Sequence, residues 1–180
     1  MSDENRFYEL CFVLCAPQAK IGNNHIVNNN LRFMDFYHKR ASLEDLTELC
    51  KLVRFKNRKA QYLLEAWDQK EEIFRVINLC IKRGLDSTAL RLMLVNRLGG
   101  MSFKTASQFL RNAYGFQDLA ILDVHILRWM EIRKAPTTID QYLDIERLFQ
   151  RRAKKYHLST AELDAILFVK KSNIFWKELR

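Results

Sequence analysis

A chain of 180 residues with 48% apolar content is long enough to bury one core or two small lobes, which excludes a disordered tail. Thirty Lys and Arg against 21 Asp and Glu leave a formal charge of +9, so a polyanion is the expected partner, nucleic acid before an anionic membrane. No apolar run approaches the roughly 18 to 20 residues of a membrane span, and the acidic start Met1-Ser2-Asp3-Glu4-Asn5 is unlike a signal peptide. A soluble, cytoplasmic protein is expected.

Five glycines, two prolines and no alternating β-branched run predict an all-α chain of some nine helices. Residues 5–15 are apolar nearly all round and read as a central buried helix. Residues 22–30, rich in asparagine, read as a poorly formed helix or a loop. Ser42 with Asp45 resembles a capping box and opens the next helix. Asn57 is expected to cap a long helix carrying Ala60, Leu63, Leu64, Trp67, Phe74, Ile77 and Cys80, which Gly84 ends. A helix from Asp86 stops at Gly99-Gly100, and a short one runs from about Lys104 to Asn112. Asp123 reads as the N-cap of a helix through Ile126, Leu127 and Met130. After Pro136 a helix spans about 138–156, its far end basic with Arg147, Arg151, Arg152, Lys154 and Lys155. Ser159 with Glu162 is a capping box for the last helix. The cysteines Cys11, Cys15, Cys50 and Cys80 form no C-x-x-C pair and read as buried reduced thiols, so no metal site is expected.

The stretch LMLVNRLGGMSFKTASQFLRN, residues 92–112, joins two helices through a very tight turn. Such a turn places consecutive backbone N–H groups and a helix N-terminus on one side, a cradle for a phosphate that reads no sequence. The same pattern also suits a plain αα-hairpin with a glycine stop. Met101 is expected to tuck the turn against both helices. Lys104 is unusual because a cation in the first turn of a helix faces the positive end of the dipole. That field favours an uncharged amine, the nucleophile that covalent catalysis requires. A solvated surface lysine is the plainer alternative. Asp123 comes nineteen positions later; as an N-cap it is ordinary, but a carboxylate held near an amine stabilises positive charge on a sugar and orients the amine.

Residues 97–130, RLGGMSFKTASQFLRNAYGFQDLAILDVHILRWM, resemble the helix-hairpin-helix DNA glycosylase superfamily, and within it the second type of 8-oxoguanine DNA glycosylase/AP lyase of archaea and some bacteria. The family pattern is a G-h-G-x-K hairpin, then A-S-x-F-L-R-N, then D-x-A-I-L-D-x-H-h-L. Gly100 to Lys104, Ala106 to Asn112 and Asp118 to Leu127 fit it. Weaker echoes lie at 7–18, 53–60 and 163–177.

The resemblance implies one glycosylase unit over residues 1–180, with two helical lobes, interleaved along the chain, flanking a DNA-binding groove. It implies a monomer that flips an oxidised guanine out of double-stranded DNA, excises it, and nicks the abasic site through a lysine Schiff base, with no cofactor. Lys104 would attack C1′ and Asp123 would be its partner. Gly100, Met101, Ser102 and Phe103 would hold DNA backbone, while His125 is either a phosphate contact or a packed histidine. Gln18 is a candidate to fill the gap left by the flipped base. Asp164, Phe168, Phe175, Trp176 and Lys177 are candidates for the base pocket. The chain departs from the family at Ser102 (second hairpin glycine), Val124 (a basic position) and Phe168 (a tryptophan), and three residues follow Lys177. Two other readings remain: the same chemistry on another oxidised base, and a non-catalytic hairpin module that only grips DNA. The iron–sulfur cysteine cluster of the endonuclease III branch is absent, which argues against that branch.

Overall fold

The computed structural model describes residues 1–171, and the all-α reading holds: nine α-helices and no strand occur among the described residues. They are α1 (Asp3–Cys15), α2 (Ile21–Phe33), α3 (Leu43–Leu49), α4 (Lys56–Lys82), α5 (Ser87–Arg97), α6 (Phe103–Tyr114), α7 (Val124–Trp129), α8 (Ile139–Lys155) and α9 (Thr160–Lys171), with a 3₁₀ turn at Cys50–Leu52. The chain divides into two compact units, Met1–Phe109 and Leu110–Arg180.

In the first unit α4 is the spine, and α1, α3 and α5 pack on it. Phe7, Leu10, Cys11 and Leu14 of α1 are fully buried, in keeping with an apolar central helix. The asparagine-rich stretch is a full helix, α2, and not a loop. Tertiary bonds explain this: Asn24, 2% exposed, donates from Nδ2 to the Phe12 carbonyl, and Asn23 donates to the Leu52 carbonyl. Val27 and Leu31 bury beside them. Asparagine disfavours an isolated helix, but side-chain bonds to neighbouring elements reverse that preference.

The start of α4 also differs from expectation. Asn57 lies inside the first turn, and the cap position is Phe55, in the left-handed region at φ 63° with no side-chain cap bond. The buried stripe of α4 runs Lys59, Leu63, Ala66, Lys70, Ile73, Ile77, alternating steps of four and three. Two of those inward positions are lysines, and each cation finds partners. Lys59 Nζ donates to the carbonyls of Cys15 (2.6 Å) and Pro17 (2.9 Å). Lys70 Nζ sits 3.6 Å from the centroid of the Trp67 ring, with Tyr37 and Phe7 further off. Burial pushes both ammonium groups below the ordinary lysine value of 10.5. Gly84, at φ +66°, ends the region as expected. Cys11, Cys15 and Cys50 are buried free thiols, whereas Cys80 is only half-buried.

In the second unit α9 packs on α7 and α8. Thr138 caps α8 by accepting the Gln141 N–H. Ser159 and Glu162 exchange bonds across the start of α9, the capping box expected there. Between α6 and α7, residues 115–123 form no helix. No helix is long and apolar enough to cross a membrane among the described residues.

Candidate active site

The hairpin is built on the ring of Tyr62 from α4. A Cβ on Gly100 would lie 2.3 Å from that ring, and one on Gly99 would lie 2.5 Å from Glu65 Oε2 and 2.8 Å from the ring. Gly100 also has φ +76°, so both space and backbone require glycine there. The next residues close the turn internally. Met101, 7% exposed, donates its N–H to the Leu98 carbonyl. Ser102 donates its N–H to Thr105 Oγ1 at 2.7 Å, and Thr105 returns its own N–H to Ser102 Oγ.

This corrects the expected run of consecutive open N–H groups. Ser102 does not offer its N–H outward, because a hydroxyl three residues on captures it in a reciprocal cap. Ser102 is not among the positive-φ residues, so serine replaces the family glycine without backbone strain. Among the described residues, the N–H groups of Gly100 and Lys104 have no acceptor in the chain, and these two donors flank the turn.

Lys104 stands in the first turn of α6, half-buried. Its neighbour Phe103 is 7% exposed, with the Arg91 guanidinium over its ring at 4.3 Å. Arg91, 1% exposed, also donates to Ser107 Oγ at 3.1 Å, and Ser107 donates to the Phe103 carbonyl. A buried arginine thus ties α5 to α6 behind the turn that carries Lys104. Sequence reading missed Arg91; its one available signal was a cation one position after the apolar Leu90, on a face that also carries Leu94.

In the second unit Asp123 caps α7 as expected. Its Oδ1 accepts the N–H groups of His125 (2.8 Å) and Ile126 (2.9 Å), and Oδ2 takes part in neither bond. Val124 is exposed and His125 half-buried, with its backbone N–H on Asp123. Asp164 is 8% exposed and bonded: Arg111 and the Ile121 N–H both donate to its Oδ2. Burial pushes the Asp164 carboxyl above its ordinary 3.8, against the pull of the Arg111 guanidinium, and the charge on Asp123 adds to the rise. Phe168 is exposed, and Phe175, Trp176 and Lys177 lie outside the described residues.

Gln18 is exposed at φ 55°, in the turn whose carbonyls Lys59 holds. The first unit offers another strained, exposed side chain that sequence reading did not single out. Phe55, 49% exposed at φ 63°, carries the Arg54 guanidinium over its ring at 4.8 Å. A bulky residue in the left-handed region is an outlier worth a functional question.

The helical architecture and the glycine turn into the Lys104 helix define a helix-hairpin-helix protein. Residues 1–158 match the family model described as 8-oxoguanine DNA glycosylase. The 8-oxoguanine DNA glycosylase/AP lyase of Fusobacterium nucleatum is 32% identical over 176 residues, covering 94% of this chain and 81% of that protein. The crystal structure of Methanocaldococcus jannaschii 8-oxoguanine DNA glycosylase superposes with a TM-score of 0.80 at 28% identity, covering 96% of this chain and 80% of that one. The structure of the same archaeon's glycosylase/lyase in complex with a 15mer DNA containing 8-oxoguanine gives 0.80 at 27% identity, covering 97% and 84%. The chain belongs to the 8-oxoguanine DNA glycosylase family.

Proposed function

We propose that this protein excises 8-oxoguanine from duplex DNA and nicks the resulting abasic site, with Lys104 as nucleophile and Asp123 as its charged partner. The observation that carries the assignment is the pair of positions themselves, a lysine at the start of the hairpin's second helix and an N-cap aspartate with one oxygen outside its cap bonds, inside a chain of this family. The Lys104 amine attacks C1′ as the C1′–N9 bond breaks; the base leaves with the bonding pair and takes up the proton that the attacking amine sheds. The Asp123 carboxylate stabilises the oxocarbenium-like charge that builds on the sugar. Opening of the C1′–O4′ bond then forms the Schiff base, which acidifies the C2′ proton; loss of that proton drives β-elimination, the C3′–O bond breaking as the 3′ phosphate leaves with the bonding pair. The open N–H groups of Gly100 and Lys104 take a phosphate oxygen, while Gln18 or Phe55 occupies the space of the flipped nucleotide. The working form is a monomer in the cytoplasm, associated with the nucleoid.

Borohydride reduction in the presence of duplex DNA with 8-oxoguanine traps a covalent complex. Lys104→Gln abolishes it, and trapping that survives this change removes Lys104 from the mechanism. Asp123→Asn keeps lesion binding while slowing base release on the order of a hundredfold or more; unchanged turnover removes its role.

A further inference from the structure

The segment 115–123 lacks regular structure, and while Gly115, Gln117 and Asp118 are exposed, its second half enters the interior of the second unit: Leu119 is 1% exposed, Ala120 0% and Leu122 4%. Buried backbone groups outside a helix need other partners, and here they find them on one stripe of α8. At the exposed edge of the segment, Gln150 Nε2 donates to the Asp118 carbonyl at 2.8 Å. Glu146, 3% exposed, accepts the Ala120 N–H at 2.8 Å. The Tyr142 hydroxyl donates to the Ala120 carbonyl at 2.7 Å and accepts the Leu122 N–H at 3.3 Å. These three side chains are spaced four residues apart, so they lie on one face of the helix. From α9, Asp164 accepts the Ile121 N–H at 3.2 Å.

Asp123 is the residue immediately after this held segment. Its backbone is anchored upstream by α8 and α9, and its carboxylate downstream by the first N–H groups of α7. None of these bonds from α8 reaches Asp123 itself; each acts through the main chain. The bonds of Tyr142 and Glu146 lie in a buried, low-dielectric setting, where polar bonds are strong and costly to leave unmade, so they over-determine where the segment ends. We propose that Tyr142, Glu146, Gln150 and Asp164 are positioning residues that set the Asp123 carboxylate for base release. The proposal rests on the reading of Asp123 as the charge-stabilising partner.

A double-mutant cycle on single-turnover base excision tests it, with saturating enzyme and duplex DNA containing 8-oxoguanine. Tyr142→Phe removes one hydroxyl and two bonds while keeping the ring. It slows excision roughly tenfold to a hundredfold, the scale of a misplaced catalytic group, with unchanged affinity for the lesion duplex. In an Asp123→Asn background the same change has no further effect on rate. A loss of equal size in both backgrounds, a loss seen only in affinity, or no loss at all overturns the proposal. Gln150→Ala covers the case in which Tyr142→Phe does not fold, since Gln150 is only half-buried; it slows excision several-fold in the same Asp123-dependent way. Wild-type turnover in Asp123→Asn alone overturns the reading of Asp123 itself, and is seen before the cycle is closed.

Discussion

Replacing Gly100 by alanine tests the hairpin on two counts at once. At φ +76° an L-residue costs about 1 to 2 kcal/mol. The new Cβ would also fall 2.3 Å from the Tyr62 ring, an overlap that forces the ring to move, at about 1 to 3 kcal/mol. The two costs together give a loss of about 2 to 5 kcal/mol. Gly84→Ala is the control for backbone alone, because φ is +66° and nothing lies within 4 Å of its Cβ; it costs about 1 to 2 kcal/mol. Gly22→Ala controls for composition, since this helical glycine has an ordinary φ and open space, and alanine there stabilises by about 0.5 to 1 kcal/mol. Urea unfolding followed by circular dichroism reads all three. Adding Tyr62→Ala to Gly100→Ala removes the overlap and brings the glycine change down to the Gly84→Ala cost. If Gly100→Ala costs no more than Gly84→Ala in the native background, the ring contact does not constrain the turn and the reasoning fails.

Lys59→Met leaves the carbonyls of Cys15 and Pro17 without their donor and destabilises by about 1 to 3 kcal/mol in the same unfolding assay. Asp164 predicts a pH signature. Because its folded value is raised above 3.8, its contribution is fully present below 3.8 and is lost as pH rises through the raised value. The stability difference between the wild type and Asp164→Asn, measured by urea unfolding across acid pH, therefore declines over that window; a difference that grows there contradicts the assignment. Arg91→Met frees α5 from α6 and lowers stability by about 1 to 3 kcal/mol, since Ser107 loses its donor and Phe103 its cation; an unchanged stability refutes the clamp. Duplex binding measured by fluorescence anisotropy weakens steadily with added salt, as phosphate contacts release counterions; affinity independent of salt contradicts backbone binding.

Much of this protein was legible from local signals. Scarce glycine and proline, apolar periodicity and the Ser42, Thr138 and Ser159 starts determine an all-α chain, because a helix and its cap are decided within a few residues. The same locality placed Lys104 at a helix start and Asp123 at an N-cap. What sequence could not supply are bonds between residues far apart in the chain. Asn23 and Asn24 make α2 a helix by reaching Leu52 and Phe12, against their own propensity. Phe55, not Asn57, stands at the cap of α4, in a left-handed conformation that local preference would assign to glycine or asparagine. Ser102 keeps its N–H for Thr105. The stripe of Tyr142, Glu146 and Gln150 reads in sequence as an ordinary helix face, and only its packing against an irregular segment reveals that it carries the chain into Asp123. Local preference weighs each residue against its neighbours; tertiary structure decides which distant backbone group a buried polar side chain must satisfy.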